Sequence, residues 1–288
     1  MKTAILGAGK MGVWFAKFCK EKGDTVIIAD RNAEKLAKLK KELNIETADF
    51  VDAVREADRV LICVSIISFE EIVKKISPFI RKGQVIMDIC SIKESPVNIM
   101  HKHLKNALIL GTHPAFGPGS STLKHKAFIL TPTTSEEQKL AENFKAWLEK
   151  EGAHVFITTP QHHDELMSIV LGFPHFLGVV ACDTLLEQVN YSETKKVAGT
   201  TYRMLFTLAE AAALETPELF ATLQVSLPDI EGIEKLYIQK AQEWLKLIKQ
   251  KDQAALIKKI EELKAKLMQV SDDYLQSYEI MYKMLESI

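Results

Sequence analysis

Short apolar runs alternate with helix-like patterns over the first 160 residues. Runs of this kind, four to six residues long and rich in Ile, Val and Leu, are typical of strands buried on both faces of a parallel sheet. Helical patterns separate them. The alternation predicts one doubly wound α/β domain over residues 1–160. The predicted strands cover 3–6, 25–29, 59–64, 84–87, 107–110, 127–130 and 154–158, and the predicted helices cover 13–22, 33–43, 69–81 and 136–150.

From residue 161 onward the pattern is helical throughout, which predicts an all-α domain over 161–288. Its last part carries an apolar stripe with spacings of three and four residues, typical of a heptad seam on one long helix. Because the stripe is longer than one small domain needs, we expect a homodimer built through the C-terminal helices. Packing within the same domain is the alternative. The stripe comprises Leu256, Ile260, Leu263, Leu267, Val270 and Tyr274, with Met281 and Leu285 continuing it.

The composition is that of an ordinary globular protein, with 47% hydrophobic and 26% charged residues. A formal net charge of -1 gives no reason to expect nucleic acid or an anionic membrane as a partner. No apolar run is expected to approach the roughly 20 residues that span a bilayer, and the chain starts in a strand, so no signal peptide is expected. The four scattered cysteines fit reduced thiols in a cytoplasmic protein and predict no metal site.

A glycine-rich turn follows the first predicted strand. Gly7, Gly9 and Gly12 form a GxGxxG motif with a strand before it and a helix after it. The first glycine permits a tight turn, the second admits a pyrophosphate, and the third lets helix and strand pack closely. Lys10 and Met11 complete the turn, and the N–H groups at the helix start would face the phosphates. The motif predicts a dinucleotide site.

The end of the second predicted strand bears on which dinucleotide binds. Asp30 lies 18 residues beyond Gly12, near the position of the carboxylate that binds the adenosine ribose. A carboxylate accepts from a free 2'-hydroxyl and repels a 2'-phosphate, so NAD is predicted over NADP. Arg31 keeps NADP open, because an arginine there could pair with that phosphate. Val64 and Ser65, at the end of the third strand, are assigned to the same cofactor site.

A histidine follows the fifth predicted strand. The apolar run 107–110 is expected to stop at Gly111, and His113 then enters a loop stiffened by prolines and glycines. Open α/β sheets bind ligands at such strand ends, and a neutral imidazole there could act as a base. A loop histidine capped by the backbone is the alternative. Ser91 and Lys93 are expected at the same sheet edge. Ser91 could orient an imidazole or simply cap the following helix.

The first helix of the second domain carries a further candidate. Asp164, Ser168 and His175 fall on one helical face, and Pro174 is expected to kink the helix and turn His175 toward a cleft. His162 and His163, at the helix start, are interpreted as capping or solvent-exposed residues.

Four stretches together resemble the prephenate dehydrogenase family, which includes arogenate dehydrogenases. They are the dinucleotide motif, Asp-x-x-Ser-x-Lys at 88–93, Gly-x-His-Pro-x-Phe-Gly-Pro at 111–118, and His-Asp at 163–164 before a helix with Pro-His at 174–175. The resemblance implies oxidative decarboxylation of prephenate to 4-hydroxyphenylpyruvate with NAD, in tyrosine biosynthesis. It also implies a homodimer through the helical domain.

The resemblance also implies residue roles. His113 would accept the proton of the substrate's ring hydroxyl, Ser91 would orient His113, and His175 would approach the substrate from the helical domain. One departure stands out: the family's arginine for a substrate carboxylate is missing from residues 205–235. Arg203 is the single arginine of the helical domain and is the candidate substitute. Alternatively a lysine takes this role, or the substrate differs. A salt bridge to Glu210 is the alternative role of Arg203.

Three other functions stay open. The chain could be an arogenate dehydrogenase, since the sequence does not separate the two substrates. It could be a β-hydroxyacid or imine dehydrogenase of the same architecture, although such enzymes rely on a catalytic lysine in the helical domain. It could also be a non-catalytic NAD-binding sensor, against which Ser91, His113 and His175 argue.

Overall fold

The computed structural model describes residues 1–188, 190–271 and 273–286. The chain divides into two compact units. The sheet unit comprises Met1–Met167 and Ser226–Pro228, and the helical unit comprises Ser168–Val225 and Asp229–Ile288.

The sheet unit alternates strands and helices along the chain. Its strands are β1 (Lys2–Leu6), β2 (Thr25–Ala29), β3 (Glu46–Ala48), β4 (Arg59–Ile62), β5 (Val85–Asp88), β6 (Leu108–Pro114), β7 (Ala127–Thr131) and β8 (His154–Ile157). Its helices are α1 (Lys10–Glu21), α2 (Ala33–Leu43), α3 (Phe50–Glu56), α4 (Ile66–Ile76), a 3₁₀ turn (Ser77–Phe79), α5 (Glu94–His103), α6 (Ser135–Lys150) and α7 (Pro160–Met167).

The eight strands form one sheet in the order β3-β2-β1-β4-β5-β6-β7-β8. Every neighbouring pair is parallel except β6 and β7, which are antiparallel. The doubly wound fold predicted from the sequence is therefore confirmed. Two short elements, β3 and α3, were missed because three and seven residues carry too little periodicity.

The sheet is covered by apolar side chains on both faces. Successive residues of β1 alternate between them: Ala4 and Leu6 belong to one buried cluster and Ile5 belongs to the other. Helices α3, α4 and α5 supply the first cluster, whereas α1, α2 and α6 supply the second. Burial on both faces explains the continuous apolar runs in the sequence.

The prediction that β6 stops at Gly111 was wrong. The strand pairs with β5 as far as Leu110 and then with β7 from Gly111 to Pro114. Gly111 marks a close approach instead of a turn, since a Cβ there would lie 2.3 Å from the Thr131 hydroxyl and 2.6 Å from a methyl of Val97. His113 is therefore held by a strand and not by a loop.

The helical unit contains no strand among its described residues. A π-helical segment (Ser168–Gly172) leads into α8 (Phe173–Gln188), α9 (Tyr191–Lys196), α10 (Thr200–Ala213), α11 (Pro217–Ser226), α12 (Ile230–Gln250), α13 (Gln253–Val270), a 3₁₀ turn (Tyr274–Gln276) and α14 (Ser277–Glu286). The last residue of α11, Ser226, is grouped with the sheet unit.

The predicted single C-terminal helix was wrong in one respect. The helix α13 ends at Val270, and Ser271 is in extended conformation, so Met281 and Leu285 belong to the separate helix α14. Within α13 the stripe exists but is not covered: none of its residues is buried, and Leu263 keeps 47% of its surface exposed.

One helical stretch passes a length and composition test for a membrane span. Residues Pro160–Glu187 run for 28 residues with a mean hydropathy of 1.8 in their most apolar window, which corrects the expectation that no run approaches that size. A single stretch of this kind is weak evidence, because the core helix of a soluble protein passes the same test. Its first eight residues form α7 of the sheet unit.

Candidate active site

The glycine-rich turn has the geometry that the motif predicted. Gly7 takes a φ of +111°, and a Cβ there would lie 2.6 Å from the Cys63 carbonyl oxygen. At Gly12 a Cβ would lie 1.9 Å from the Gly7 carbonyl oxygen, so only glycine lets α1 pack this closely on the turn. A Cβ on Gly9 would meet nothing within 4 Å. The second glycine therefore borders open space.

The start of α1 is suited to an anion. Gly9 is the N-cap, no side chain caps the helix, and its first turn contains no acidic residue. The partial positive charge of the helix N-terminus is thus left uncompensated by a protein carboxylate. Lys10 is exposed at this end and Met11 is half-buried. The open space at Gly9 and the uncapped N-terminus together fit a diphosphate group.

Asp30 lies beside this turn. One of its carboxylate oxygens accepts from the Ala8 N–H at 2.7 Å, and the other accepts from the Asn32 N–H at 2.9 Å. The carboxylate at the end of β2 is thereby fixed against the glycine turn, as a ribose-binding group requires. The neighbouring Arg31 is exposed.

The end of β4 completes this side of the sheet. Val64 is half-buried, and Ser65 is the exposed N-cap of α4, with its hydroxyl donating to the Ser68 hydroxyl at 3.3 Å. Both residues follow the strand beside β1. Their assignment to the cofactor site stays a prediction.

A second cluster is built around His113, which is buried with 5% of its surface exposed. Its Nδ1 lies 2.9 Å from Nε2 of His163, and Nδ1 of His163 lies 2.7 Å from a carboxylate oxygen of Asp164. His163 is fully buried. The interpretation of His163 as a capping or exposed residue was therefore wrong, whereas His162 is exposed and pairs with Glu165.

Asp164 also fixes the start of α5. One of its oxygens accepts from the Lys93 N–H at 2.7 Å and the other from the Glu94 N–H at 3.0 Å. A carboxylate from α7 thus satisfies two backbone donors that a helix start leaves free. Since Lys93 is the N-cap residue, Ser91 does not cap this helix.

A buried ion pair supports the same sheet edge. The Lys93 ammonium and the Asp88 carboxylate are both fully buried and in direct contact. The ammonium also donates to the Thr112 carbonyl oxygen at 2.7 Å, and the Asp88 carboxylate accepts from the Cys90 N–H at 2.8 Å. Breaking such a pair leaves a buried charge uncompensated, which is strongly destabilising. The pair therefore ties β5, β6 and the start of α5 together.

The environment keeps both histidines neutral. Burial lowers the pKa of His113 well below 6.5, and repulsion from the Lys93 ammonium, and from His163 whenever that ring is protonated, acts in the same direction. Burial also lowers the pKa of His163, although its hydrogen bond to Asp164 opposes the shift. A neutral imidazole at neutral pH is the form that can accept a proton.

Ser91 is half-buried and makes no side-chain hydrogen bond to a described residue. The partner of His113 in the structure is His163 and not Ser91. The orienting role of Ser91 stays a prediction.

The other two predicted substrate residues belong to the helical unit. His175 is half-buried on α8, and its Nδ1–H donates to the Leu171 carbonyl oxygen at 2.8 Å. Pro174 follows a π-helical segment, a usual site of helix distortion. Arg203 is exposed on α10 and forms no ion pair with a described residue. Glu210 was its proposed alternative partner, and a carboxylate oxygen of Glu210 lies 3.5 Å from the Nζ of Lys195.

Sequence reasoning missed the roles of His163 and Asp164. Their place at the start of a helix is typical of capping residues. Their contacts with His113 and Lys93 span 50 and 71 residues of chain and leave no local pattern in the sequence. Their signal was a histidine and a carboxylate just before the apolar run that starts at Leu166.

The glycine turn, the uncapped helix and the fixed Asp30 define a dinucleotide-binding domain of the Rossmann type. The chain belongs to the prephenate dehydrogenase family. The family model "Prephenate dehydrogenase, nucleotide-binding domain" matches residues 15–157, and "Prephenate dehydrogenase, dimerization domain" matches residues 159–262. The first match begins at residue 15, after the glycine turn. The geometry of that turn therefore supports a dinucleotide site independently of the family match.

Similar proteins include a "Probable arogenate/prephenate dehydrogenase" of Methanocaldococcus jannaschii, 35% identical over 90% of this chain and 59% of that protein. A cyclohexadienyl dehydrogenase of Zymomonas mobilis is 26% identical over 61% of this chain and 64% of its own length. The chain thus spans about three fifths of the length of these curated relatives.

Solved structures show the same fold. Prephenate dehydrogenase of Aquifex aeolicus, crystallised with hydroxyphenyl propionate and NAD+, has a TM-score of 0.76 at 23% identity and covers 94% of this chain and 98% of its own. Arogenate dehydrogenase of Synechocystis has a TM-score of 0.71 at 16% identity and covers 93% and 99%.

Proposed function

We propose that this chain catalyses the oxidative decarboxylation of prephenate to 4-hydroxyphenylpyruvate with NAD, a step of tyrosine biosynthesis. The observation that carries the proposal is a buried, neutral His113 at the sheet edge, held by His163. Family membership and the names of the relatives support it.

In this mechanism His113 is the general base. The His113 imidazole accepts the proton of the hydroxyl on the prephenate ring. At the same time, hydride leaves the ring carbon that carries this hydroxyl. When bound, the nicotinamide supplies the hydride acceptor. Loss of carbon dioxide then yields an aromatic ring, and this gain in stability drives the step. Burial of His113 excludes water from the base and keeps its pKa low enough for it to be unprotonated at neutral pH.

The cofactor proposal rests on the end of β2. Asp30 is fixed beside the glycine turn by the Ala8 and Asn32 N–H groups, where it would accept from ribose hydroxyls and repel a 2'-phosphate. We therefore propose NAD as the preferred cofactor. Arg31 is exposed and could pair with a phosphate if Asp30 were replaced.

Arogenate is the second candidate substrate. The name of the Methanocaldococcus jannaschii relative includes both substrates, and the family's usual arginine is missing from residues 205–235. Substrate carboxylates entering a desolvated site need a fixed cation. Arg203 is proposed for this role, because its guanidinium can bind a carboxylate through two hydrogen bonds and it has no ion pair with a described residue. His175 is proposed as the second substrate contact.

The assembly proposed is a homodimer through the C-terminal helices, in a cytoplasmic enzyme without nucleic-acid or membrane partners. The uncovered apolar stripe of α13 supports it. The description of the matching family model as a dimerization domain agrees.

The decisive experiment is a matrix of kcat/KM for prephenate and arogenate, each with NAD and NADP. We expect the highest value for prephenate with NAD. A higher value with NADP contradicts the role of Asp30, and turnover of arogenate alone replaces the substrate. Asp30→Ser should move the preference toward NADP, with Arg31→Ser in the same background as its control.

A further inference from the structure

The chain of contacts from Asp164 through His163 to His113 decides where the protons lie. We propose that Asp164 and His163 are positioning residues that hold His113 in the tautomer with Nδ1 protonated and the Nε2 lone pair free for the substrate. The inference rests on the proposed function only for its kinetic consequence.

Asp164 is the hydrogen-bond acceptor at the end of this chain of contacts that is farthest from His113. Both oxygens of Asp164 already receive backbone N–H groups, one from Lys93 at 2.7 Å and one from Glu94 at 3.0 Å. These donors lie at the start of α5, where the helix dipole favours a negative charge. Asp164 is therefore an ionised acceptor, and an ionised carboxylate has no proton to give.

The contact with Asp164 fixes the tautomer of His163. Since Asp164 accepts, the Nδ1 of His163 at 2.7 Å must carry the proton of that hydrogen bond. A neutral imidazole has one N–H, so Nε2 of His163 is an acceptor. Burial lowers the pKa of His163, which keeps it in this neutral form.

The contact with His163 in turn fixes the tautomer of His113. An acceptor 2.9 Å from its Nδ1 requires that Nδ1 carry the proton. The remaining nitrogen, Nε2, then has a lone pair and is the atom that can take a proton from a substrate hydroxyl. After that transfer Nδ1–H still donates to His163, so the imidazolium keeps a hydrogen-bond partner.

The same arrangement predicts that the base stops working at acid pH. The charged groups around the two rings are Asp164 on α7, Lys93 before α5 and Asp88 on β5. A proton added to Nε2 of His163 turns that atom into a donor. His113 must then accept at Nδ1, and in its neutral form it holds its proton at Nε2, where it blocks the base.

Long-range proton–nitrogen NMR of the full-length protein labelled with nitrogen-15 histidine tests the inference without any substrate. At pH 8 we expect His113 and His163 both to be protonated at Nδ1. The His113 signals are assigned by their disappearance in His113→Asn. A proton on Nε2 of His113 in the wild-type protein would overturn the proposal.

Two variants of His163 supply the kinetic test. His163→Phe removes the acceptor, so kcat should fall by about 10²–10⁴-fold, the worth of a positioned base. His163→Gln places an amide oxygen near the position of Nε2, and it should keep the His113 tautomer and recover about tenfold or more of that loss. Equal rates in the two variants would count against an acceptor role. His162→Gln, an exposed neighbour, should leave kcat unchanged.

The outcomes separate the two proposals. An Nδ1-protonated His113 without turnover of prephenate or arogenate removes the proposed function and leaves the tautomer assignment standing. If His163→Phe does not fold, the wild-type spectrum together with His163→Gln decides. Nicotinamide cofactor affinity, measured by fluorescence, should be the same in all soluble variants.

Discussion

The two units differ in how far their apolar side chains are buried. In the sheet unit, Phe69, Ile86 and Leu110 are fully buried. His113 contacts His163 of the same unit, and Asp164 accepts from the Lys93 N–H there. In the helical unit, large apolar side chains lie open to solvent on the long helices. They include Leu236 at 53%, Leu245 at 48%, Ile248 at 56%, Ile257 at 53% and Val270 at 81% exposure.

This difference indicates a division of roles. The sheet unit buries its own core and fixes His113 through contacts with His163 and Asp164 of the same unit. The helical unit exposes many large apolar side chains on its long helices, and we expect them to form an interaction face. We therefore expect changes in the sheet unit to affect chemistry and nucleotide binding, and changes in the helical unit to affect substrate affinity and assembly.

The largest effect should come from His113→Asn. Without a base, kcat should fall by about 10²–10⁴-fold, whereas nucleotide affinity should stay the same, because the glycine turn is untouched. Steady-state kinetics and a cofactor titration measure the two quantities. A kcat near that of the wild type would remove His113 from the mechanism.

Arg203→Ala should act on binding. If Arg203 holds a carboxylate, kcat/KM should fall by about 2–5 kcal/mol in free-energy terms. The loss should lie mainly in KM, since the contact exists before and during the reaction. Arg203→Lys, which keeps the charge without the planar fork, should recover part of it. A KM within about threefold of the wild type shows that another group binds the carboxylate.

A charged residue in the apolar stripe of α13 should weaken the proposed dimer. Leu263→Asp should weaken the dimer by about 1.5–3 kcal/mol for each copy, the worth of one buried leucine. Ala265→Asp, on the opposite side of the same helix, is the matched control. Analytical ultracentrifugation at several concentrations measures the effect. Equal dissociation constants for the two variants would show that the stripe does not lie at an interface.

Two glycines of the same turn should respond in opposite ways. Gly12→Ala should lower the stability by about 1–3 kcal/mol, because its Cβ would overlap the Gly7 carbonyl oxygen. Gly9→Ala should leave the Tm unchanged and weaken NAD binding, because its Cβ enters open space. Thermal melts with and without NAD separate these effects. Unchanged NAD affinity in Gly9→Ala would contradict the diphosphate site.

The smallest effect concerns stability at acid pH. The pKa of His113 is lower in the folded protein than the 6.5 of an exposed histidine, so the unfolded chain binds more protons below that pH. Stability should therefore fall as the pH drops from about 6.5, and less steeply in His113→Asn. Tm measured between pH 8 and 5 checks this. Parallel curves would show that His113 does not contribute to the acid sensitivity.

The sequence determined the elements that carry a local signal. The apolar runs and the helical patterns located the main strands and helices, since side chains on a strand alternate and those on a helix recur every three to four residues. The glycine turn was equally readable, because Gly7 and Gly12 are required by a positive φ and by a close backbone approach.

Tertiary structure decided the surroundings of His113. Gly111 looked like a strand end but marks the approach of Thr131 and Val97 from other elements. His163 looked like a capping residue but lies in the core because α7 brings it to β6. Asp164 supplies the N-terminal hydrogen bonds of a helix 70 residues earlier in the chain. A local pattern records only neighbours within a few residues, so contacts made across the fold appear first in three dimensions.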